Sequence, residues 1–287
     1  MSRVFRALEK AEEERKQKVR EEPALKVSDD KSGLGKETPS IRFPREKMMK
    51  GEVPRLPPRE EAPVLTIPAN SFAEEEFRKL KTQIFVRLPN PPHSILITST
   101  APEEGKTTVA VNLAVAISRE INKRAILIDG DMRKPRIRLE KIQNPKGLSN
   151  FLSDGTPLSE ILINSEMEHL RVILAGPSTH KPAELIGSRR MVELMKSLSE
   201  LAENTYIIID SPPIIPTTEP ILLSKMVDGI ILVVRADRMP RESIQRAVKS
   251  IDREKIIGVV FNEVELKPSS YYSKRYYGYY KNGYYKK

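Results

Sequence analysis

Six apolar runs, separated by stretches of helical periodicity, constrain the fold of this 287-residue chain more than any other feature. Runs such as YIIID and GIILVV are apolar without alternation, as expected for strands that are covered on both faces. Strands that alternate with helices predict an α/β fold with a mostly parallel sheet flanked by helices. The predicted strands are residues 94–98, 125–129, 170–174, 206–210, 229–234 and 256–261.

A helix is predicted to precede the first strand, in the stretch SFAEEEFRKLKTQIFVRL. Ser71 followed by Glu74 is a capping-box pattern, which is typical of a helix N-terminus. Apolar residues then recur at helical spacing, namely Phe77, Leu80, Ile84 and Leu88. The ordered part of the chain is therefore expected to begin near residue 71.

The chain contains no cysteine, so it has neither a disulfide framework nor a thiolate metal site. No apolar run approaches the roughly 20 residues of a membrane-spanning helix. The first residues are charged throughout and lack the apolar core of a signal peptide. These features together predict a cytoplasmic protein.

Most of the excess positive charge lies at the C-terminal end of the sequence. The net charge is +10, yet residues 71–265 are nearly neutral. Residues 266–287 contain six basic and no acidic residues, and they hold eight of the nine tyrosines. A basic aromatic segment is compatible with single-stranded nucleic acid. The neutral core has no basic stripe, which argues against that partner, so no nucleic acid is expected.

Four segments follow from these patterns. Residues 1–20 have Val4, Phe5, Leu8 and Ala11 on one helical face, which fits a docking helix or a solvated marginal helix equally well. Residues 21–70 are rich in proline and charge and predict a flexible linker. Residues 71–265 are the predicted globular α/β domain, and residues 266–287 are a predicted flexible tail.

The stretch ILITSTAPEEGKTTVAVNLAVAI runs from a predicted strand through a turn into a predicted helix. This is the arrangement of a P-loop, in which N–H groups at a helix N-terminus surround phosphate oxygens. Lys106 is placed to reach the β- and γ-phosphates of ATP, and the Thr107 hydroxyl to bind Mg²⁺. Thr100 stands where the motif usually has its first glycine. The predicted nucleotide-binding residues are Thr100, Ala101, Glu103, Glu104, Gly105, Lys106, Thr107, Thr108 and Asn262.

Two further strands are predicted to end in aspartates. Asp129 ends the strand in LIDGDMRKP, and Asp131 and Arg133 follow it. Asp210 ends the strand in IIIDSPP, a Walker B pattern. The first stretch alone is typical of a surface loop with an Asp–Arg pair, but at the carboxyl edge beside a P-loop it can supply Mg²⁺ contacts and a base. The predicted catalytic residues are Lys106, Asp129, Asp131, Arg133 and Asp210, and the predicted Mg²⁺ ligands are Thr107, Asp129, Asp131 and Asp210.

Three motifs, STAPEEGKTT, LIDGDMRKP and IIIDSPP, resemble Walker A, Walker A′ and Walker B of the bacterial protein-tyrosine kinases. These are P-loop enzymes of the deviant Walker A branch. EEEFRKLKTQI resembles the helix motif E-x-x-R-x-x-R of that family at Glu75, Arg78 and Lys81, where Lys81 departs from the usual arginine. The resemblance covers about residues 71–287, and the beginning MSRVFRALEKAEEER is similar to versions found beside exopolysaccharide and exosortase systems.

The resemblance implies an autokinase that uses ATP and Mg²⁺ and phosphorylates its tail between subunits of a ring-shaped oligomer. Asp129 is the candidate base, because a phenol with a pKa near ~10 must lose its proton during attack. Asp131 and Asp210 would complete the Mg²⁺ shell. The implied substrate tyrosines are Tyr271, Tyr272, Tyr276, Tyr277, Tyr279, Tyr280, Tyr284 and Tyr285.

The resemblance also implies partners. A membrane-spanning chain-length protein (a co-polymerase) of polysaccharide export would activate the kinase and recruit it to the inner face of the membrane. A protein-tyrosine phosphatase would reverse the modification. The basic tail is expected to be drawn towards carboxylates and nucleotide at the active site, and to be repelled from them once phosphorylated.

The nearest alternative is a partitioning or septum-placement ATPase of the same P-loop branch, without kinase activity. That group has an early signature lysine in K-G-G-x-G-K-T, whereas the aligned position here is Ala101. A nucleotide-sensing scaffold whose tail only docks partners is a further alternative. The tyrosine-rich tail has no role in the partitioning group, which favours the kinase.

Overall fold

The computed structural model describes residues 71–264 of the chain, apart from residues 140, 141, 143, 144, 202, 203, 237 and 238. The docking helix predicted at residues 1–20, the linker predicted at residues 21–70 and the tyrosine-rich tail at residues 266–287 lie outside the described residues. Within the described part, no helix has both the length and the apolar character needed to cross a bilayer.

A seven-stranded sheet forms the centre of the described part of the chain, and its strand order is β3-β4-β2-β5-β1-β6-β7. All neighbouring strands are parallel except for the β3–β4 pair. The strands are β1 Ser94–Ser99, β2 Arg124–Asp129, β3 Leu162–Asn164, β4 Leu170–Ile173, β5 Thr205–Asp210, β6 Gly229–Arg235 and β7 Ile256–Asn262. The predicted α/β fold is confirmed, and each predicted strand is present with bounds that agree within one residue.

Strand β3 was not predicted from the sequence. It has only three residues, and it forms because Leu162 pairs with Ile173 on the neighbouring antiparallel strand. A run this short gives no periodicity that separates a strand from the end of a helix.

Helices cover both faces of this sheet. They are α1 Phe72–Arg87, α2 Lys106–Ser118, α3 Leu148–Ser153, α4 Leu158–Ile161, α5 Pro182–Ile186, α6 Arg189–Ser199, α7 Glu219–Ser224 and α8 Arg241–Ser250, with a 3₁₀ turn at Arg253–Lys255. Each face has its own apolar core, one containing Leu113 of α2 and the other containing Leu194 of α6. Full burial of such a leucine contributes about 1.5–3 kcal/mol.

Helix α2 is buried on nearly all sides because it lies between the sheet and α1. Of its 13 residues, only Thr108 escapes full burial, so the helix is held firmly behind the loop from which it starts. The predicted apolar face of α1 is confirmed, since Phe77, Leu80, Ile84 and Leu88 all pack into this core. The cap is also confirmed, because the Ser71 hydroxyl accepts the N–H of Glu74 at 3.1 Å.

Acidic and basic side chains tie α1 to the end of α2. The buried Glu74 pairs with Arg119, and Lys81 pairs with Glu120. The sequence predicted Lys81 on the same charged side of the helix as Glu75 and Arg78. The ion pair with Glu120 instead turns Lys81 inward, and only 18% of its side chain is exposed. Arg78 stays on the outer surface and pairs with Glu75 at 3.5 Å.

Candidate active site

The loop between β1 and α2 is shaped by a glycine in a left-handed conformation. Gly105 has φ +85°, and a Cβ atom there would lie 1.9 Å from Nδ2 of Asn262. That Nδ2 donates to the backbone oxygen of Glu104 at 3.1 Å. Asn262, at the end of β7, therefore braces the P-loop, and its role in the nucleotide site stays a prediction.

Glu104 holds the same loop from the inside. Its carboxylate is fully buried and accepts the N–H of Ala101 at 2.7 Å and the N–H of Arg235 at 3.3 Å. The side chain thus connects the loop to β6 and fixes the shape of the loop. The neighbouring Glu103 is exposed and has φ +63°. Thr100 is buried, and its hydroxyl has no hydrogen-bond partner in the described part of the chain.

The register of the sheet brings the two predicted acidic strand ends together. Asp129 of β2 is the direct neighbour of Asp210 of β5. Gly130 follows Asp129 and donates its N–H to the backbone oxygen of Asp210 at 2.8 Å. A Cβ atom on Gly130 would lie 2.8 Å from that same oxygen, so only glycine permits this close approach. Gly130 was not among the predicted site residues, although a glycine between two aspartates at a strand end is a signal for such a close approach.

The carboxylate of Asp129 folds the following loop around itself. It accepts N–H groups from Asp131 at 3.1 Å, Arg136 at 3.2 Å and Ile137 at 3.1 Å. Burial, followed by the neighbouring charge of Asp210, raises the pKa of Asp129 to about 8. Two adjacent buried carboxylates resist ionising together, so this strand end holds protons that an exposed aspartate would release.

Asp210 has the opposite surroundings. It is buried, yet neither carboxylate oxygen has a hydrogen-bond partner among the residues that the structure describes. Burial raises the pKa of Asp210 to about 6, and the charge of Lys106 is the largest influence that lowers it. The Thr107 hydroxyl lies close enough to lower this pKa as well, without making a hydrogen bond of normal geometry.

Lys106 lies between the acids of the two strand ends. Its Nζ is 3.9 Å from Oδ2 of Asp131, and both side chains are largely buried. Oδ1 of Asp131 accepts the N–H of Lys134 at 3.0 Å, which leaves Oδ2 facing the lysine. The structure thus brings together the predicted Lys106, Thr107, Asp131 and Asp210 at the carboxyl edge of β1, β2 and β5.

Arg133 is held by an acid that the sequence analysis did not identify. Its Nε donates to Oε1 of Glu219 at 2.7 Å. Glu219 starts α7, is fully buried and accepts the N–H of Thr218 with its second oxygen. Arg133 remains about half exposed, at 48% of its side chain. The partners are 86 residues apart in sequence, so no local pattern signals the pair.

The donor set fits a nucleotide with its Mg²⁺ ion. In the described part of the chain, no three acidic or histidine side chains are arranged so as to hold a metal ion. Mg²⁺ is usually bound through one or two carboxylates together with substrate phosphates and waters. The unpaired oxygens of Asp210 beside the Thr107 hydroxyl are suited to that mode. The fold and this loop define the class: the chain is a P-loop nucleotide-binding protein.

Comparisons with known proteins identify the family. A family model described as an AAA domain matches residues 95–257. Tyrosine-protein kinase YwqD of Bacillus subtilis is 32% identical over 212 residues, which are 72% of this chain and 87% of YwqD. Tyrosine-protein kinase CpsD of Streptococcus pneumoniae is 30% identical over 213 residues, which are 72% of this chain and 92% of CpsD. The crystal structure of the chimerical protein CapA2B2 is 28% identical, with a TM-score of 0.60, over 77% of this chain and 99% of that one.

The chain therefore belongs to the bacterial tyrosine-protein kinases of the capsule and exopolysaccharide family, as its motifs predicted. It is an enzyme of the tyrosine-protein kinase class. The alternative of a partitioning ATPase is disfavoured by these relatives and by Ala101 at the position of the signature lysine.

Proposed function

We propose that this kinase transfers the γ-phosphoryl group of ATP to tyrosines 271–285 in the tail of a neighbouring copy. We further propose that this reaction regulates the polymerisation and export of an exopolysaccharide. The observation that carries the proposal is the unpaired Asp210 carboxylate, buried beside Lys106 and Thr107 at the start of the P-loop helix. Eight tyrosines among six basic residues in the tail supply the substrate groups.

Thr107 and Asp210, with Asp131, are the residues that would hold Mg²⁺ around the nucleotide. The ion would neutralise charge on the transferred phosphoryl group. Lys106 supports the β- and γ-phosphates, and the backbone N–H groups of the loop surround them. Phosphoryl transfer needs mainly positioning and charge neutralisation, so a rigid loop in front of the buried helix α2 is well suited to it.

A base must take the phenol proton as the tyrosine oxygen attacks the γ-phosphorus. The bond from that phosphorus to the bridging oxygen breaks, ADP leaves, and the proton passes to a carboxylate. Asp129 is the proposed base. Asp129 already accepts three N–H groups, whereas Oδ2 of Asp131 lies 3.9 Å from Nζ of Lys106, so Asp131 is the acid with which the assignment is compared. Comparing Asp129→Asn with Asp131→Asn in single-turnover assays tests this assignment, because loss of the base removes about 10²–10⁴-fold in rate.

The proposed ring-like homo-oligomer uses the outer surface of α1. Glu75 and Arg78 lie there, and either can exchange its partner within the chain for one on a neighbouring copy. Lys81 contributes less, because it already pairs with Glu120. Exposed charge pairs add little each but orient an interface. Replacing Glu75, Arg78 and Lys81 together with Ala should give a monomer by light scattering, and an unchanged mass would place the interface elsewhere.

The proposed partners are a membrane-spanning co-polymerase that activates the kinase at the inner face of the membrane, and a protein-tyrosine phosphatase. The motif resemblance and the family support this pairing. Residues 1–70, which are the proposed docking helix and linker, would couple the kinase to its activator. Removing them should leave nucleotide affinity unchanged while abolishing activation. A large loss of ATP affinity in the truncated chain would contradict the linker proposal.

The kinase proposal is tested by replacing the P-loop lysine. Lys106→Met should abolish labelling of the tail by radiolabelled ATP and Mg²⁺, while the circular dichroism spectrum stays unchanged. Lys196→Met is the matched control, because it removes an exposed lysine from α6 and should keep full labelling. Labelling of the Lys106→Met chain at the parent rate, detected with an anti-phosphotyrosine antibody, would refute the assignment of this site.

A further inference from the structure

Two glutamates beside the P-loop have a left-handed backbone conformation. Glu103 in the loop has φ +63°, and Glu263, which follows β7, has φ +53°. Residues other than glycine are uncommon in this conformation, and such strain is found mainly at functional positions. Both side chains are exposed, so packing in the core does not account for either residue. The two glutamates, called here the acidic rim, are therefore candidates for a role of their carboxylates in function.

Contacts within the chain hold the two parts of the acidic rim next to each other. Glu103 directly precedes Glu104, and Glu263 directly follows Asn262. The Asn262 side chain donates to the backbone oxygen of Glu104 at 3.1 Å, which joins the P-loop to the end of β7. The buried carboxylate of Glu104 also accepts the N–H of Arg235 at 3.3 Å. The acidic rim is thus fixed beside the P-loop, on the side of β6 and β7.

The acidic rim is close to the place of the proposed phosphoryl transfer. Only two residues separate Glu103 from Lys106, so their Cα atoms lie at most about 11 Å apart. The carboxylates that end β2 and β5 are buried, so they do not reach a side chain at the surface. The carboxylate of Glu103 is exposed, whereas Glu263 shares its charge with Arg235. Glu103 is therefore expected to contribute more to recognition at the surface than Glu263.

The two sides of the site carry opposite charge. In the sheet, β6 and β7 lie on one side of β1, and β5 and β2 lie on the other. The loop after β2 has four exposed cations, which are Arg133, Lys134, Arg136 and Arg138. A basic segment that approaches the site is therefore favoured on the side of the acidic rim and disfavoured on the side of β2.

The tail has a cation beside each group of tyrosines. Its eight tyrosines form four adjacent pairs, and each pair has a lysine or an arginine within two positions. These nearest cations are Lys274, Arg275, Lys281 and Lys286. Residues 266–287 contain no acidic side chain, so all charged side chains of the unmodified tail are cations. A tyrosine of the tail that enters the site therefore brings a positive side chain with it.

We propose that the acidic rim selects the substrate by pairing with the cation beside each tyrosine pair in the tail of a second copy. The inference rests on the proposed function and identifies the residues that recognise the substrate of that site. Recognition by charge needs no fixed sequence, so the four tyrosine pairs can use the same rim in turn. Phosphate places negative charge beside the cation, which weakens the pairing and releases the modified segment.

Binding of two peptides without nucleotide tests the acidic rim independently of catalysis. One fluorescent peptide has the sequence of residues 266–287, and the neutral peptide has all six cations replaced with Gln. Each is titrated with the full, dephosphorylated chain, and fluorescence anisotropy gives the dissociation constant. Glu103→Gln should weaken binding of the native peptide about threefold, because exposed charge pairs are individually weak, and should not affect the neutral peptide. Glu103→Asp keeps the charge and should restore most of the binding.

Two further variants separate the charge of Glu103 from its backbone conformation and from the net charge of the chain. Glu103→Gly removes both the charge and the strain. It should raise the melting temperature by about 2–4 °C, yet weaken binding of the native peptide as much as Glu103→Gln does. Glu200→Gln is the matched control, because it removes an exposed glutamate shortly before β5, at the opposite edge of the sheet. It should bind both peptides as the parent chain does.

The proposal is overturned if the parent chain binds both peptides equally, or if Glu103→Gln affects both peptides equally. Weakening by Glu103→Gly alone would also overturn it, because the backbone of the loop would then be the cause. Equal weakening by Glu200→Gln would overturn it as well, since net charge would be sufficient. If the peptides behave as expected but ATP and Mg²⁺ never label a tyrosine of the tail, only the proposed function fails. If the tail is labelled and native binding does not depend on Glu103, only this inference fails.

Discussion

The ends of β2 and β5 carry aspartates at paired positions of the sheet, both buried, yet their surroundings are opposite. Within the described part of the chain, Asp129 receives three N–H donors, whereas Asp210 receives none. Buried polar groups are nearly always satisfied, and an exception usually marks a functional position. At the β2 end, Asp129 thus shapes the loop that follows it. At the β5 end, the buried carboxylate of Asp210 has no hydrogen bond in the described part of the chain, which is destabilising and which a bound cation would relieve.

The largest expected effect is on catalysis at the β5 end. Asp210→Asn should lower the rate of tail phosphorylation about 100-fold, because the proposed Mg²⁺ contact is lost. The Mg²⁺ concentration that gives half-maximal labelling should rise as well. Labelling with radioactive ATP across a magnesium titration measures both quantities, and an unchanged titration would show that Asp210 does not hold the ion.

A matched pair of substitutions tests the comparison itself. Asp129→Ala leaves three buried N–H donors without their acceptor and should lower the free energy of unfolding by about 2–3 kcal/mol. Asp210→Ala removes a carboxylate that makes no hydrogen bond with the residues that the structure describes, and should leave the stability of the nucleotide-free chain unchanged or raise it. Urea denaturation of the two variants measures the difference. Equal destabilisation by both would show that the two strand ends do not differ as described.

The close approach of the two strand ends depends on Gly130. Gly130→Ala places a methyl group about 2.8 Å from the backbone oxygen of Asp210, which must then move. We expect a loss of about 1–3 kcal/mol in stability, together with reduced labelling. Gly258→Ala in β7 is the control, because its Cβ would meet nothing within 4 Å. A Gly130→Ala chain as stable and active as the control would contradict this account of the glycine.

The smallest expected effect is on the pH dependence of stability. The pKa values of Asp129 and Asp210 are raised from 3.8 to about 8 and about 6, so the folded chain holds more protons than the unfolded chain in this window. The contribution of the pair is therefore fully present below about pH 4 and is lost as the pH rises towards 8. Thermal denaturation of the nucleotide-free chain should show this fall, and it should be smaller in Asp129→Ala/Asp210→Ala. If the stability of the double variant fell with pH as steeply as that of the parent chain, the raised pKa values of the two aspartates would not be its cause.

Local patterns predicted most of the fold, because the strands are continuous apolar runs and α1 has both a cap and an apolar face. They also predicted which acids end β2 and β5, since a polar residue after an apolar run marks a strand end. They did not predict that Glu219 holds Arg133 or that Glu104 connects the P-loop to β6. Arg133 and Glu219 are 86 positions apart in the sequence, and Glu104 and Arg235 are 131 positions apart. Only the strand order brings the members of each pair together.

The patterns also left the two aspartates indistinguishable. IDGD and IDSP both read as an acid at a strand end, and nothing local shows which carboxylate the backbone will satisfy. The difference arises because residues 131–137 curl back over Asp129, whereas the residues after Asp210 turn away. Ile214, for example, donates its N–H to the backbone oxygen of Ser99.

Mixing two chains tests the central claim most directly. One chain carries Lys106→Met and an intact tail, and the other has an intact active site but ends at Leu266. The account predicts that radiolabelled phosphate appears on the tail of the Lys106→Met chain, at a rate that depends on the concentration of the active chain. If label appears only on chains that have both an intact site and an intact tail, the reaction occurs within one chain, and the account of transfer between copies is wrong.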